Sequence, residues 1–211
     1  MMPPLIIAVD GPAAAGKGTL ARRLAAHLGL PYLDTGLLYR ATGRRVLDAG
    51  GDPADAQDAT AAAKALVAGD LERHDLRGPA ADDASSKVAA VPDVRAALLE
   101  FQRRFARENG AVLDGRDIGT VVFPEAPVKL FVTASAGERA HRRHAEMQAR
   151  GGAPSLADVA TEMAARDARD SARHAAPLRP AREAITLDTT TLDADAAFAA
   201  ALRAIESLRS R

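Results

Sequence analysis

Short apolar runs recur along the chain and indicate the strands of a buried sheet. Residues 5–10 read LIIAVD and end at a Gly-Pro turn, which is typical of a strand buried on both faces. Similar runs lie at residues 31–34, 111–114, 128–134 and 184–190. We therefore predict five strands, and the connections between them are long enough to hold helices.

Apolar residues between these runs follow the spacing of a helix. In residues 17–29, Leu20, Leu24 and Leu28 share one face and Gly29 is a stop signal. The same kind of pattern predicts helices over residues 40–49, 93–107, 136–149 and 155–173. Strands that alternate with helices favour an α/β fold, in which helices cover both faces of a parallel sheet.

The composition of the 211 residues is that of one folded domain, because 47% of them are hydrophobic. The formal net charge is zero, so the overall charge does not point to nucleic acid or a membrane surface. There is no cysteine, which excludes disulfides and thiolate metal sites. No apolar run approaches the ~20 residues of a membrane-spanning helix, and the N-terminus lacks the basic start of a signal peptide. We expect a cytoplasmic monomer that binds neither nucleic acid nor membranes.

Two segments carry opposite charge although the whole chain is neutral. Residues 48–83 hold nine acidic and three basic residues, whereas residues 139–182 hold nine arginines and five acids. Each segment by itself is typical of a solvated surface. Because residues 48–83 also show weak periodicity, we interpret them as an insert over the sheet, with a helix in the alanine-rich part at 59–68.

The first strand leads into a loop, GPAAAGKGT, that is typical of a phosphate site. A glycine-rich turn between a strand and a helix points backbone N–H groups inward and so forms a cradle for anions. Lys17 can then reach the terminal phosphates as a flexible cation. The alternative is a turn of small residues with an exposed lysine, which the order of strand, loop, lysine and helix disfavours. We predict a nucleoside triphosphate site made by Gly11, Pro12, Ala13, Ala14, Ala15, Gly16, Lys17, Gly18 and Thr19.

Gly18 stands where many phosphate loops have a serine or threonine that binds Mg²⁺. A glycine offers no side-chain ligand, so we expect phosphate oxygens and water to hold the ion. Asp114 ends an apolar run and could hold a metal-bound water. The sequence does not identify which protein residues bind the metal directly.

A phosphate loop fits a kinase, a GTPase or a mechanical ATPase, and a second site for anions distinguishes the kinase. No NKxD stretch of the kind that reads guanine in a GTPase occurs in the chain. Arg40 follows Thr35 closely, and Arg116 and Asp117 lie just beyond a predicted strand end, where open α/β sheets bind ligands. These positions favour a kinase.

A charged helix face within residues 155–173 adds further candidates. Its members are Arg166, Arg169, Asp170 and Arg173. By itself this pattern favours an exposed helix with internal ion pairs, Arg166 with Asp170 and Asp170 with Arg173. The phosphate loop and the other arginines shift the interpretation towards a binding role.

Four groups of motifs resemble bacterial cytidylate kinases. They are DGPAAAGKGT; LDTGLLYR; SSKVAAVPDVRAALLEFQRRF with LDGRDIGTVVFPEAPVKLFVTASAGERAHRR; and RDARDSARHAAPLRPAREAITLDTTTL. Together they span nearly the whole chain. Two features depart from the family: residues 48–83 form a short insert, and Ala14 replaces the middle glycine of the loop, which should restrict the backbone.

The resemblance implies the fold of a P-loop nucleoside monophosphate kinase, with three layers and a parallel five-stranded sheet. Residues 1–211 would form a single kinase domain. Residues 48–83 would be part of an insert that binds the nucleoside monophosphate. Residues 139–182 would contain an arginine-rich lid.

In this family the γ-phosphoryl group of ATP passes to CMP or dCMP with Mg²⁺ as cofactor, so the resemblance implies ATP, CMP and dCMP as partners. It implies catalytic roles for Lys17, Arg116, Arg142 and Arg143. It further implies that the CMP phosphate contacts Thr35, Arg40 and Arg116, the ribose contacts Arg166 and Asp170, and the cytosine contacts Ser86, Arg95, Asp117 and Arg173.

The base-reading set implied by the resemblance fits the chemistry of cytosine. Asp117 and the Ser86 hydroxyl can accept hydrogen bonds from the amino group, and Arg95 can donate to N3 and O2. Uracil O4 would face a carboxylate that has no proton to share, at a cost of ~1–3 kcal/mol per unpaired group. The alternatives are a related P-loop kinase for another small acceptor and, in another class, a nucleotide-binding regulator without phosphotransfer.

Overall fold

A parallel sheet lies at the centre of the computed structural model, which describes residues 4–152 and 154–209. Its strands are β1 (Ile6–Asp10), β2 (Tyr32–Asp34), β3 (Ala111–Gly115), β4 (Val128–Thr133) and β5 (Ile185–Asp188). Their order across the sheet is β2-β3-β1-β4-β5, and every neighbouring pair is parallel. The five predicted strands are confirmed, with ends that differ by one or two residues.

Helices fill the connections between the strands, and one further helix follows β5. They are α1 (Lys17–Leu28), α2 (Thr35–Asp48), α3 (Ala56–Lys64), α4 (Pro79–Val88), α5 (Pro92–Arg107), α6 (Ala136–Gln148), α7 (Leu156–Ala172) and α8 (Ala194–Arg209). A 3₁₀ turn at Ala68–Glu72 and a π-helical turn at Ile118–Val122 complete the set. Helix α2 begins at Thr35 rather than at the predicted residue 40, because the chain passes from β2 directly into the helix. The apolar pattern predicts neither α4 nor α8.

The two faces of the sheet carry separate apolar layers. On one face, Leu24 of α1 and Ile205 of α8 pack in the cluster that contains Val9. On the other face, Phe105 of α5 packs against the cluster around Leu113. The predicted three-layer α/β fold is therefore confirmed. Within the ranges that the structure describes, no helix has the length and apolar character needed to cross a bilayer.

Residues 48–83, all of which the structure describes, contribute no strand to the sheet. They form α3, the 3₁₀ turn and the first half of α4, and an apolar cluster joins α3 to α2 and α5. Helices α2 and α4 cross so closely that a Cβ at Gly43 would lie 2.8 Å from the Cβ of Ala84. This close crossing fixes the position of α4 beside the cleft described below.

Helices α6 and α7 pack together and rest on the loop between β1 and α1. Met147 of α6 and Met163 of α7 belong to one apolar cluster, against which Ala13 and Ala14 of the loop also pack. Apolar contacts therefore hold the arginine-rich segment next to the phosphate loop.

Three residues of this loop adopt positive φ. Gly11 has φ 146°, and a Cβ there would lie 1.9 Å from the carbonyl oxygen of Val132; Gly16 has φ 86°. Ala14 has φ 57°, a left-handed conformation that costs a residue with a side chain roughly 1–2 kcal/mol. The restriction expected at Ala14 thus has a geometric basis.

Replacing Ala14 by glycine should raise the free energy of unfolding by up to about 1 kcal/mol, because relief of left-handed strain outweighs the added entropy of the unfolded chain. Ala13→Gly is the matched control, since Ala13 has no positive φ. This variant should lower the free energy of unfolding by about 0.4–1 kcal/mol, because glycine adds entropy to the unfolded chain. Urea unfolding of both variants measures the difference. Equal destabilisation of the two would show that Ala14 is not strained.

Candidate active site

A cleft of about 400 Å³ opens at the carboxyl ends of β1, β2 and β3. The predicted site residues along its wall are Ala13, Ala14, Gly16, Lys17, Gly18, Thr19, Thr35, Arg40, Ser86, Arg95, Asp114, Arg116, Asp117, Arg142, Arg143, Arg166, Asp170 and Arg173. Gly11, Pro12 and Ala15 are buried in the loop and do not line the cleft. The fold therefore brings together residues that are far apart in the sequence.

Lys17 is the first residue of α1 and lies in the wall of the cleft. Its Nζ donates a hydrogen bond to the carbonyl oxygen of Pro12 at 2.8 Å. Burial, together with the positive charge of Arg116, lowers the pKa of Lys17 to about 7. An anion in the loop would favour the charged form of this lysine.

Asp114, in β3, lies directly against the start of α1. A Cβ at Gly18 would lie 3.2 Å from Oδ2 of Asp114, so the glycine lets the carboxylate approach the helix. Burial and the negative charge of Asp34 raise the pKa of Asp114 to about 6. The Tyr32 hydroxyl donates to Oδ1 of Asp114 over 3.4 Å, and the Thr35 hydroxyl donates to its backbone oxygen at 2.7 Å.

In the part of the chain that the structure describes, no group of three acidic or histidine side chains is placed to hold a metal ion. Asp34 and Asp114 both line the cleft, and both act on the charge of Lys17. Two carboxylates beside the predicted phosphate site fit Mg²⁺, which keeps several waters and takes other ligands from phosphate oxygens.

Asp10, at the end of β1, holds the segment that follows β3. Its carboxylate accepts hydrogen bonds from the backbone N–H groups of Ile118 and Gly119 at 2.8 and 2.7 Å. Burial raises the pKa of Asp10 to about 7 despite these hydrogen bonds. The central strand thus fixes the segment that carries Arg116 and Asp117.

Arg40 and Arg116, the arginines predicted at the acceptor phosphate, each pair with a carboxylate on another element. Nε of Arg40 donates to Oδ1 of Asp82 at 3.1 Å, and Nε of Arg116 donates to Oδ2 of Asp170 at 3.1 Å. These pairs hold both guanidinium groups at the wall of the cleft.

Arg95 and Asp117, predicted as readers of cytosine, form a buried ion pair. Arg95 also donates to the backbone oxygen of Ala89 at 3.3 Å, and its guanidinium carbon lies 5.4 Å from the centre of the Tyr39 ring. Removal of either charge would leave the other buried without a counter-charge. The two residues therefore act as one unit.

Three members of the charged face of α7, Arg166, Asp170 and Arg173, are largely buried, whereas Arg169 is exposed. The interpretation as an exposed helix is therefore wrong for most of this face, although one of its ion pairs, Asp170 with Arg173, is present. Asp170 is 2% exposed and pairs with Arg116 and Arg173. Arg166 pairs with Asp82 of α4 at 3.3 Å. Burial and the positive charge of Arg116 lower the pKa of Arg166 to about 10.

Ser86 of α4 faces α7. Its hydroxyl donates to Oδ1 of Asp170 over 3.5 Å and accepts a hydrogen bond from Nε of Arg169 at 3.2 Å. Ser86 thus lies beside the acidic group that also binds Arg116 and Arg173.

Arg142 and Arg143 are neighbours on α6 but reach different parts of the cleft. Arg142 donates to the hydroxyl and the backbone oxygen of Thr189 at 3.0 and 2.6 Å, and Thr189 donates to the loop oxygen of Ala15 at 3.1 Å. Arg143 pairs with Asp82. Arg142 is thus tied to the phosphate loop, and Arg143 to the arginines on the acceptor side.

Several residues that line the cleft are not predicted from the sequence. Asp82 is the most connected of them, since three arginines pair with it. Its spacing could have identified it, because Asp82 and Ser86 are one helical turn apart and share a face of α4. The others are Arg22, Asp34, Gly36, Tyr39, Arg77, Ser85, Ala89, Gly115 and Glu146.

Comparisons with known proteins agree with this fold. A crystal structure of an uncharacterized protein from Eubacterium ventriosum ATCC 27560 matches with a TM-score of 0.54 at 16% identity, over 98% of this chain and 99% of that chain. A curated cytidylate kinase from Granulibacter bethesdensis is 66% identical over 194 residues, 92% of this chain and 93% of that protein. One from Acidiphilium cryptum is 60% identical over 211 residues, which is 100% of both chains.

The family model described as cytidylate kinase matches residues 7–207. This range holds the phosphate loop and all residues that line the cleft. The relatives also align over nearly their full length. The chain therefore belongs to the cytidylate kinase family and is a nucleoside monophosphate kinase.

Proposed function

We propose that this kinase transfers the γ-phosphoryl group of ATP to CMP or dCMP, giving ADP and CDP or dCDP. The observation that supports it most directly is the make-up of one cleft. Its wall contains the phosphate loop, arginines from α2, α6 and α7, and the buried Arg95–Asp117 pair. A triphosphate donor and an acceptor with a phosphate and a polar base both find matching groups there.

Loop residues 11–19 hold the triphosphate in this proposal. The positive end of α1 and the inward backbone N–H groups attract the phosphates. Lys17 adds a cation inside the wall of the cleft. Arg142 is held beside the loop through Thr189, from where it can reach the group in transfer.

The proposed cofactor is Mg²⁺ bound together with ATP. When bound, the ion neutralises charge on the phosphate oxygens. Asp114 would hold it through a water molecule, since Gly18 supplies no side-chain oxygen and brings the start of α1 against this carboxylate. Asp34 adds a second carboxylate at the same wall.

Thr35, Arg40 and Arg116 hold the acceptor phosphate in this proposal, and Arg166 and Asp170 contact the ribose. Guanidinium groups present paired donors that match phosphate oxygens. Their anchoring at the wall of one cleft favours a role in positioning, which is the main task of a protein in phosphoryl transfer.

Catalysis is assigned to Lys17, Arg116, Arg142 and Arg143, which supply positive charge where negative charge moves between the phosphates. We propose that the lid within residues 139–182 and the insert that includes residues 48–83 close over the bound nucleotides. Closure would exclude water and limit the hydrolysis of ATP.

Specificity for cytosine is assigned to Ser86, Arg95, Asp117 and Arg173. A carboxylate has about four acceptor positions, so Asp117 can keep its pair with Arg95 and still accept from the amino group of cytosine. Uracil presents an acceptor at that place, which would leave two buried acceptors facing each other.

We also propose that the protein is a monomer. Among the described residues, the exposed large hydrophobic side chains are Val67, Phe101 and Val121. They lie on three different segments and are too few to form the apolar face that a stable dimer buries.

The direct test measures the ADP formed from ATP when CMP, dCMP, UMP, AMP and GMP are offered separately. CMP and dCMP should give the highest kcat/KM. Preference for another monophosphate would replace the proposed acceptor, and absence of turnover with all five would favour a nucleotide-binding regulator.

Lys17→Ala should lower kcat/KM by roughly 100-fold or more, the scale of loss when one preorganised group that stabilises developing charge is removed. Lys87→Ala is the control, because Lys87 is a half-exposed lysine that pairs with Asp83, and it should keep wild-type turnover. Thermal melting checks that both variants are folded. Near-normal turnover in a folded Lys17→Ala protein would remove this lysine from the catalytic set.

Asp117→Asn should lower the preference for CMP over UMP by roughly 10- to 100-fold, because one buried hydrogen bond is worth ~1–3 kcal/mol. The asparagine oxygen can still accept from Arg95, whereas its amide NH₂ matches uracil O4 and repels the cytosine amino group. Alanine would be a poorer choice, since it leaves Arg95 buried without a partner. The readout is kcat/KM for CMP and UMP at saturating ATP.

The KM for ATP should stay unchanged in Asp117→Asn, because the phosphate loop lies on a different strand–helix unit. Asp93→Asn removes an exposed carboxylate from α5 and serves as the control for charge alone. An unchanged CMP-over-UMP ratio in Asp117→Asn would show that Asp117 does not read the base.

A further inference from the structure

Asp82 of α4 lies where arginines from three other helices converge. Its Oδ1 accepts from Nε of Arg40 on α2 at 3.1 Å and pairs with Nη1 of Arg166 on α7 at 3.3 Å. Its Oδ2 accepts from Nη2 of Arg143 on α6. Asp82 and all three arginines line the cleft of the candidate active site.

The charges at this point do not balance. The Asp82 carboxylate faces three guanidinium groups, and Arg143 has a second partner in Glu146 at 2.8 Å. Two carboxylates against three guanidinium groups leave a local excess of one positive charge. The side chain of Asp82 is 13% exposed and those of its partners 16–18%, so water screens the excess only in part. A phosphate anion carries charge of the sign that would complete the balance.

The protonation of Asp82 agrees with this arrangement. Burial by itself would raise its pKa, but the neighbouring guanidinium groups outweigh burial and lower the pKa below the usual value for an aspartate. Asp82 is therefore a carboxylate anion at neutral pH, in the middle of groups that suit phosphate oxygens.

The neighbouring acid on α4, Asp83, is placed differently. It pairs with Arg169 at 3.1 Å and with Lys87 at 2.8 Å, and its side chain is 47% exposed. Asp83 does not line the cleft of the candidate active site. The two adjacent aspartates thus offer one carboxylate inside the arginine cluster and one outside it.

We propose that the Asp82 carboxylate competes with nucleotide phosphates for Arg40 and Arg143, while Arg166, the proposed ribose contact, helps to hold the carboxylate in place. Asp82 binds these arginines first, yields Arg40 and Arg143 to the substrate, and takes them back as the product leaves. Asp82 is a positioning residue in this role, since it acts through the arginines. The identity of the displacing nucleotide rests on the proposed function, whereas the competition with an anion does not.

The competition makes anion binding weaker and release faster. A phosphate oxygen can bind one of these arginines only when the ion pair of that arginine with Asp82 breaks. The net free energy of binding is therefore smaller than for a guanidinium that has no partner. The same exchange assists departure of the product, because the carboxylate fills the place of the leaving phosphate. Loss of the Asp82 charge should therefore strengthen binding and slow release.

The test uses inorganic phosphate as the probe and compares the wild type with Asp82→Asn, Asp82→Ala and Asp83→Asn. Titration calorimetry gives the affinity, and thermal melting with and without phosphate gives an independent shift. Any binding of phosphate by the loop at Lys17 is common to all four proteins, so a difference between their titrations reports on the arginine cluster at Asp82. Asp83→Asn removes the same formal charge from the neighbouring residue, so it isolates the effect of the cluster from net charge.

We expect both Asp82 variants to bind inorganic phosphate roughly 3- to 10-fold more tightly than the wild type, the range for loss of competing, partly exposed ion pairs. Asp83→Asn should match the wild type within about twofold. Equal or weaker phosphate binding in both Asp82 variants would overturn the proposal and leave Asp82 with a structural role only.

Kinetics give the second readout. With the monophosphate that the wild type turns over fastest, Asp82→Asn should lower both the acceptor KM and kcat, and product inhibition should become stronger. A purely structural defect would instead raise KM or leave it unchanged, which would contradict the proposal. The phosphate titration does not depend on turnover, so failure of the proposed CMP activity in the wild type would leave the result on Asp82 intact.

Discussion

Charge compensation inside the cleft is the constraint on which the rest of the site depends. The guanidinium groups of the cleft stand close together while largely shielded from water, and each such ion loses several kcal/mol of hydration. Asp82, Asp117 and Asp170 meet this constraint from three different elements. Asp170 with Arg173 is a local pair, but the other pairs of these carboxylates join separate parts of the chain. Those pairs therefore help to fix how α4, α5 and α7 are placed around the cleft.

Although the chain has no net charge, its acidic and basic residues are concentrated in two different segments, which contact each other in the fold. The acidic residues 48–83 and the arginine-rich residues 139–182 meet where α4 lies beside α6 and α7, through Asp82 with Arg143 and Asp83 with Arg169. Apolar clusters hold these segments to α2, α5 and the loop between β1 and α1, and the ion pairs add contacts with defined geometry between α4, α6 and α7.

Sequence patterns predict the parts of this molecule that depend on local chemistry. The run at residues 5–10 must be a buried strand whatever its partners, and the loop that ends in Lys17 needs only its own spacing. The start of α2 escapes prediction because no turn residue separates Asp34 from Thr35. The partner of Arg143 cannot be predicted for another reason: Asp82 lies 61 positions away, and the two meet only because α4 packs on α2 while α6 packs on α7 and the phosphate loop.

The contact of the phosphate loop with α6 and α7 has a thermal consequence. Ala13 and Ala14 pack on the same apolar cluster as Met147 and Met163, so a displacement of these helices would expose apolar surface to water. Such exposure carries a positive heat capacity change, and the apolar contribution to the contact weakens on cooling. The free energy of the contact between α6, α7 and the loop would then be most favourable at one particular temperature, separate from that of the whole fold. Below that temperature, further cooling would weaken the contact between the two helices and the loop.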